Sequence, residues 1–250
     1  MHLRILLSND DGIDSPGIET LAKILSTKHE VIVTAPAFEQ SGMSQAITVS
    51  KRMSVESYKI ADCDIEAWKI NGTPADCVKL YLEAINTIEK PDLLISGINK
   101  GSNLGTDVLY SGTVGAAIEG YMHGIPSIAL SLDVKSITSF VLVSQMIGEK
   151  LPDWFNLEKD IFLYNVNFPK QNNRDIDPFV FTKLGVRNYK NAYKRILEDG
   201  RIFYEMVGEI SDGDNAEVTD IFATNRGYVS VTPLQLDLTD YIKLEDKLYR

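Results

Sequence analysis

The chain contains very little cysteine. Cys63 and Cys77 are the only two in 250 residues, too few for a disulfide framework and without metal-ligand spacing. Both are expected to be reduced, Cys77 on a helix face. Histidine is equally scarce, and His2, His29 and His123 do not cluster. His123, at the end of a helix, reads as a partner for the helix dipole rather than a catalyst. No apolar run is long enough for a membrane span. The N-terminus enters a strand directly, without the charged, apolar and cleavage regions of a signal peptide, so the expected location is cytoplasmic. Cations are in deficit, 25 Lys and Arg against 35 Asp and Glu, for a formal net charge of −10. That argues against nucleic-acid polymers, which need many cationic phosphate contacts. It leaves room for a small phosphorylated ligand. Three motifs are missing as well: the P-loop, a Gly-x-Gly-x-x-Gly after the first strand, and the Gly-x-Ser-x-Gly elbow of serine hydrolases. No repeat, heptad pattern or low-complexity tract is present, and 44% hydrophobic content supports a sizeable core.

What is present centres on residues 95–119. Asp92–Ser96 ends an apolar run that reads as a buried strand, and Val114–Met122 reads as a small-residue helix. Between them Gly97, Gly101, Gly105 and Gly112 alternate with Asn99, Ser102, Asn103, Thr106, Ser111 and Thr113. Such a loop gathers N–H groups, amides and hydroxyls about one point. Ser111-Gly112-Thr113 opens the helix, whose free N–H groups and positive dipole end suit a phosphate. The competing reading is a long polar turn capped by Ser111 or Thr113.

A second stretch lies at the end of the first strand, where Asn9-Asp10-Asp11-Gly12 follows Leu3–Ser8. Ligands of open α/β sheets sit beyond the carboxyl ends of the strands. Two adjacent carboxylates there are costly unless a cation or proton separates their charges. A hard divalent ion such as Mg2+ or Mn2+ meets that need. An Asx turn closed by Gly12 is the alternative, favoured for the triplet alone. Beside a phosphate-type loop at another strand end, the cation is favoured.

Apolar spacing predicts a helix over about 17–27 and a buried strand over Glu30–Pro36, completing a βαβ unit. Ser41-Gly42, in the loop after that strand, reads locally as an ordinary turn. Ala46–Ser50 and Met53–Tyr58 read as a hairpin around Lys51-Arg52. Thr73 is an N-cap with Pro74 at the first helical position and Asp76 in the first turn, and Asn71-Gly72 reads as a structural turn, with part of a substrate rim as the alternative. A strand over Pro126–Leu132 and a helix over Ser139–Lys150 follow. From Asp160 the texture changes to strands at Ile161–Phe168, Pro178–Gly185, Tyr193–Leu197 and Ile202–Val207, the last two joined by an Asp199-Gly200 turn, a run that predicts an antiparallel extension. Asp214–Ala223 reads as a helix, Gly227–Thr232 as a strand, and the residues from Asp237 as a terminal amphipathic helix.

Several segments together resemble the SurE family, the stationary-phase survival protein E type of 5′/3′-nucleotidase. They are Ser8–Gly12 with Ser15–Gly17, Ala35-Pro36 with Ser41-Gly42, Asn71–Val78, and above all Ser96–Ala117, with Thr232-Pro-Leu and Asp237-Leu-Thr near the end. The resemblance spans the chain, strongest over 1–132 and weakest over 150–225. It implies a Rossmann-like α/β three-layer sandwich with a mostly parallel sheet and a C-terminal β-hairpin extension. The chain would be one domain, 1–250, with 160–207 as an arm exchanged in a homodimer or homotetramer. It implies a phosphatase of nucleoside monophosphates, with short polyphosphate as a further substrate. One divalent cation per subunit, Mg2+ or Mn2+, would be held by Asp10, Asp11, Ser41 and Asn99. Asp10 and Asn99 would be catalytic, Asp10 orienting a water or taking its proton. Asn103, Ser111, Gly112 and Thr113 would contact phosphate. Two rivals remain: a non-catalytic nucleotide or phosphate sensor on the same scaffold, and an enzyme acting on sugar or acyl phosphates.

Overall fold

The computed structural model describes residues 1–86, 88–136, 138–158, 160–170, 179–212 and 216–248. β1 (Arg4–Ser8) is buried beyond its first residue. Pro16 opens α1 (Pro16–Leu25) where its missing N–H costs nothing, and β2 (Glu30–Pro36) returns parallel to β1. β3 (Val55–Ser57), β4 (Glu66–Ile70), α2 (Pro74–Leu80), β5 (Leu93–Lys100), α3 (Gly112–Met122), β6 (Ser127–Leu132), α4 (Phe140–Leu157) and β7 (Leu163–Phe168) follow. Beyond them lie β8 (Phe179–Phe181), β9 (Tyr189–Lys190), β10 (Tyr193–Glu198), β11 (Arg201–Met206), β12 (Glu209–Ile210), α5 (Asp220–Asn225), β13 (Val229–Pro233) and α6 (Tyr241–Leu248).

One nine-stranded sheet carries the fold, in the order β3-β4-β2-β1-β5-β6-β7-β13-β8. The six strands from β4 to β7 in that order are mutually parallel. β3 and β13 run antiparallel to β4 and β7 respectively. The sheet is covered on both sides, which is why its strands read as unbroken apolar runs. Ile5, Leu7, Ile95 and Leu130 pack with Ile18 and Leu21 of α1 and Ile147 and Trp154 of α4. Leu6, Leu94 and Ala129 face the other way, onto Val78 of α2 and Val114, Ala116 and Ala117 of α3. The α/β three-layer sandwich is therefore observed.

Three expectations change. The hairpin over 46–58 does not form: only Val55–Ser57 is a strand, and it pairs with β4. Residues 46–48 are taken by the cap of α2 instead. The Asp76 carboxylate accepts from Thr48 N and Oγ1 at 2.8 and 2.6 Å, and Thr73 donates to the Ala46 carbonyl. Next, the helix expected to end at Lys150 runs through Pro152 to Leu157, because buried Leu151 and Trp154 anchor its last turns in the core. Finally, the segment from Asp160 is not one antiparallel extension. Leu163–Phe168 is fully buried and parallel to β6, and β8 joins the same sheet through β13. Only 189–210 projects, as β10 and β11 with the short pair β9 and β12 at their base. The Asp199-Gly200 turn of that hairpin is as expected, with positive φ at both residues (48° and 73°). Pro178, and Asp214 at the start of the expected late helix, lie outside the described residues; the described helix there is α5, capped by Thr219.

Candidate active site

The chain winds outward from β1 through β2 to β4, then crosses back to β5 on the other side of β1. The switch in strand order therefore falls between β1 and β5, where a crevice opens beyond the carboxyl ends. Asn9–Gly12 leaves β1 at that point and the glycine-rich loop leaves β5. Gly97 allows β5 to lie close on β6, since a Cβ there would sit 2.3 Å from the Leu130 carbonyl oxygen and its φ is +149°. The pairing of β5 with β6 shifts between Ser96 and Asn99.

Asp10 is 5% exposed. The Thr113 hydroxyl donates to its Oδ1, and the Thr113 backbone also hydrogen-bonds it. Burial, and secondarily the neighbouring Asp11 charge, raise its pKa to about 6 against the opposing Thr113 bonds. Asp11 is half-buried and also raised, chiefly by burial; its Oδ2 accepts from Lys100 N at 3.1 Å. That bond sets Asp11 beside the end of β5, one residue from Asn99. Gln40 N donates to the Asp10 carbonyl at 2.7 Å, bringing the loop that carries Ser41 to the same edge. Ser41 is exposed and donates to Glu39 Oε1 at 2.7 Å. Asn99 donates through Nδ2 to the Gly101 carbonyl at 2.8 Å.

These bonds have a common consequence. Each spends one donor or one oxygen and leaves an oxygen lone pair free: Asp10 Oδ2, Asp11 Oδ1, Ser41 Oγ and Asn99 Oδ1. The donor set is all hard oxygen with two negative charges, which fits Mg2+ or Mn2+. The buried Asn9 Oδ1, next to Asp10 in the chain, has no hydrogen-bond partner, as suits a polar site. Among the described residues no group of three or more His, Cys, Asp or Glu is placed to hold a metal. The set therefore depends on its amide and hydroxyl.

The phosphate candidates divide in two. Ser111 caps α3, its Oγ accepting from Val114 N at 3.1 Å, and Gly112 and Thr113 form the first turn against Asp10. A Cβ at Gly112 would lie 2.9 Å from Asp10 Cβ and 3.2 Å from the Gln40 carbonyl oxygen, so the helix end and the carboxylate can approach only through glycine. Asn103 is held differently. Its N donates to Asn167 Oδ1 at 2.8 Å, its carbonyl accepts from Asn165 and Asn167 at 2.8 and 3.0 Å, and its Nδ2 donates to Ser131 Oγ at 2.9 Å. The amide donor of Asn103 is thus engaged with Ser131, and the residue pins the loop.

The sequence reading missed the residues that do the pinning. Asn165 and Asn167 lie at i and i+2 on one face of buried β7; two amides on one face of an apolar strand were the available signal. Asp220, fully buried, accepts from Gly105, Gly185 and Ile221 N, each at 2.8 Å. Burial raises its pKa against those three bonds. Arg187 bridges Asp107 and Asp212, and Tyr189 donates to Asp107 at 2.6 Å, coupling the loop to the base of the projecting hairpin. His123 caps α3 at its C-terminal end, Nδ1 lying 2.8 Å from the Glu119 carbonyl oxygen, away from the site.

The family model described as survival protein SurE matches residues 5–191. A 5′-nucleotidase SurE from Heliobacterium modesticaldum is 45% identical over 248 residues, 98% of this chain and 90% of that protein. One from Pelotomaculum thermopropionicum is 44% identical over 245 residues, 97% and 93%. The crystal structure of the SurE protein from Aquifex aeolicus superposes with a TM-score of 0.83 at 37% identity, over 98% of each chain.

Proposed function

The chain belongs to the SurE family, and from that premise we propose that it is a metal-dependent phosphatase hydrolysing nucleoside 5′- and 3′-monophosphates to nucleoside and phosphate. The observation that carries the reading is the buried Asp10 carboxylate held against the N-terminal turn of an eleven-residue helix. A carboxylate and a helix N-terminus together provide an acceptor for a proton and donors for a phosphoryl group in one place. A glycine at 112 makes that approach possible.

Asp10, Asp11, Ser41 and Asn99 would hold the cation through the oxygens left free. When bound, a divalent cation neutralises charge on the phosphoryl oxygens and acidifies water at the site. The Gly112 N–H and the positive dipole end of α3 would stabilise the charge that builds on those oxygens. Asp10 is placed to orient the attacking water or to take its proton. Thr113 fixes the Asp10 rotamer through Oδ1. The loop must hold its geometry for this to work, and Asn165, Asn167 and Asp220 supply that rigidity.

The same proposal covers the assembly and the setting. The hairpin 189–210 is the candidate arm for a homodimer or homotetramer, since Leu197, Phe203, Tyr204 and Met206 are exposed along it. Among the described residues no helix is long and apolar enough to cross a membrane. Cys63 and Cys77 are free thiols, which accords with cytoplasmic placement.

The test is phosphate release from nucleoside 5′- and 3′-monophosphates, sugar phosphates and short polyphosphate. Metal-stripped protein is compared with protein given Mg2+ or Mn2+, and with Asp10→Asn. Release that needs metal and Asp10 is expected. Metal-dependent nucleotide binding without release would replace the phosphatase with a sensor.

A further inference from the structure

Beside the candidate active site lies a second feature that the chemistry above does not use. A cleft of about 410 Å³ opens against Asp11 and is lined by Asp14, Pro16, Phe38, Glu39 and Phe140 among others. Phe38 is 72% exposed. Its exposure is not looseness. Ile13 N donates to Pro36 O at 2.9 Å, Ala37 N to Ile70 O at 2.8 Å and Gln40 N to Asp10 O at 2.7 Å, so the backbone is tied on both sides of the ring. A Cβ on Gly12 would come within 3.3 Å of the Phe38 carbonyl carbon. The tied backbone thus presents an exposed aromatic ring in the loop that carries the metal-ligand candidate Ser41.

Beside Ser15 and Lys100, the cleft has carboxylate acceptors with capacity left. Asp14 uses Oδ1 for the Tyr58 hydroxyl at 2.6 Å, and Glu39 uses Oε1 for Ser41. Asp14 Oδ2 and Glu39 Oε2 remain. An apolar, aromatic surface bordered by carboxylate acceptors matches a molecule with a flat π-face and several O–H or N–H donors. A nucleoside is such a molecule: the base offers the face and the sugar hydroxyls the donors. A sugar phosphate offers the donors without the face.

We propose that this cleft seats the nucleoside end of the substrate, with the Phe38 ring stacked on the base and Asp14 and Glu39 facing sugar hydroxyls. The proposal rests on the phosphatase reading and makes Phe38 the residue that separates nucleotides from other phosphomonoesters. Phosphate release is measured with Mg2+ or Mn2+ on a nucleoside 5′-monophosphate and on ribose 5-phosphate, which keeps the phosphate and sugar but lacks the base. Stacking on an aromatic side chain gives an expected loss of about 5- to 150-fold in the ratio of the two kcat/KM values for Phe38→Ala. The loss should fall on KM for the nucleotide. Phe38→Tyr, which keeps the ring, should retain the ratio. An unchanged ratio in Phe38→Ala, or an equal fall in Phe38→Tyr, overturns the inference while leaving the phosphatase standing. Wild-type protein that releases phosphate from neither compound overturns both.

Discussion

Asp10→Asn should stabilise the metal-free protein, and the gain should depend on pH. In the folded chain the carboxyl group of Asp10 has its pKa raised from 3.8 to about 6, burial being the largest cause. Below about pH 4 the group is protonated in both folded and unfolded chains and contributes no difference. Between pH 4 and 6 the unfolded chain ionises freely while the folded chain resists, so stability falls as pH rises. Above pH 6 the full cost is present, about 3 kcal/mol at 1.36 kcal/mol per unit. Asparagine carries no charge, and its Oδ1 can still accept from Thr113. Thermal melts in chelator should therefore show the variant more stable at pH 7.5, by roughly 6–12 °C at the 2–4 °C per kcal/mol typical of chains this long. The two curves should converge below pH 4. Mg2+ or Mn2+ should raise the wild-type Tm and leave the variant's unmoved. A Tm difference independent of pH from 4 to 8, or a wild type more stable than Asp10→Asn at pH 7.5 without metal, would refute the argument that burial of this charge is costly.

Three further outcomes follow from single contacts. Gly112→Ala places a methyl group 2.9 Å from Asp10 Cβ, and should cost on the order of 100-fold in phosphate release by displacing the helix end, with circular dichroism unchanged; near-normal turnover would mean that the approach of α3 to Asp10 is not needed. Asn167→Ala removes both a donor to and an acceptor from Asn103, and should destabilise by about 1–3 kcal/mol in urea denaturation because buried polar atoms lose their partners. In the projecting hairpin, Phe203→Asp with Tyr204→Asp places charge on exposed apolar positions, and if the hairpin is an oligomerisation arm, sedimentation should show a smaller species than wild type; identical sedimentation would overturn that role.

Much of the fold was legible because its signals are local. The parallel strands are buried on both faces, so their apolar runs needed no partner to be recognised. Pro16, Thr73-Pro74 and Asp199-Gly200 act through their own backbone preferences. What failed were decisions taken between distant segments. Residues 46–48 have strand-like composition, yet the carboxylate of Asp76 offered their N–H and hydroxyl groups better partners than a hairpin would. Leu163–Phe168 looks like any isolated strand in sequence. Only β6 beside it makes it parallel and central rather than part of the arm.

For the site, the sequence alone determined the chemical inventory: paired carboxylates after one strand, and a glycine, amide and hydroxyl loop after another. Those residue types carry their chemistry wherever they fall. Tertiary structure alone decided which of them meet. It set Thr113 on Asp10, turned Ser111 into a cap, and engaged the amide of Asn103 with Ser131. It also raised the Asp10 pKa to about 6, because desolvation depends on what covers a group. No stretch of local sequence specifies its own burial, so both the proton affinity of Asp10 and the cleft beside Phe38 emerged only when the sheet brought β1, β2 and β5 side by side.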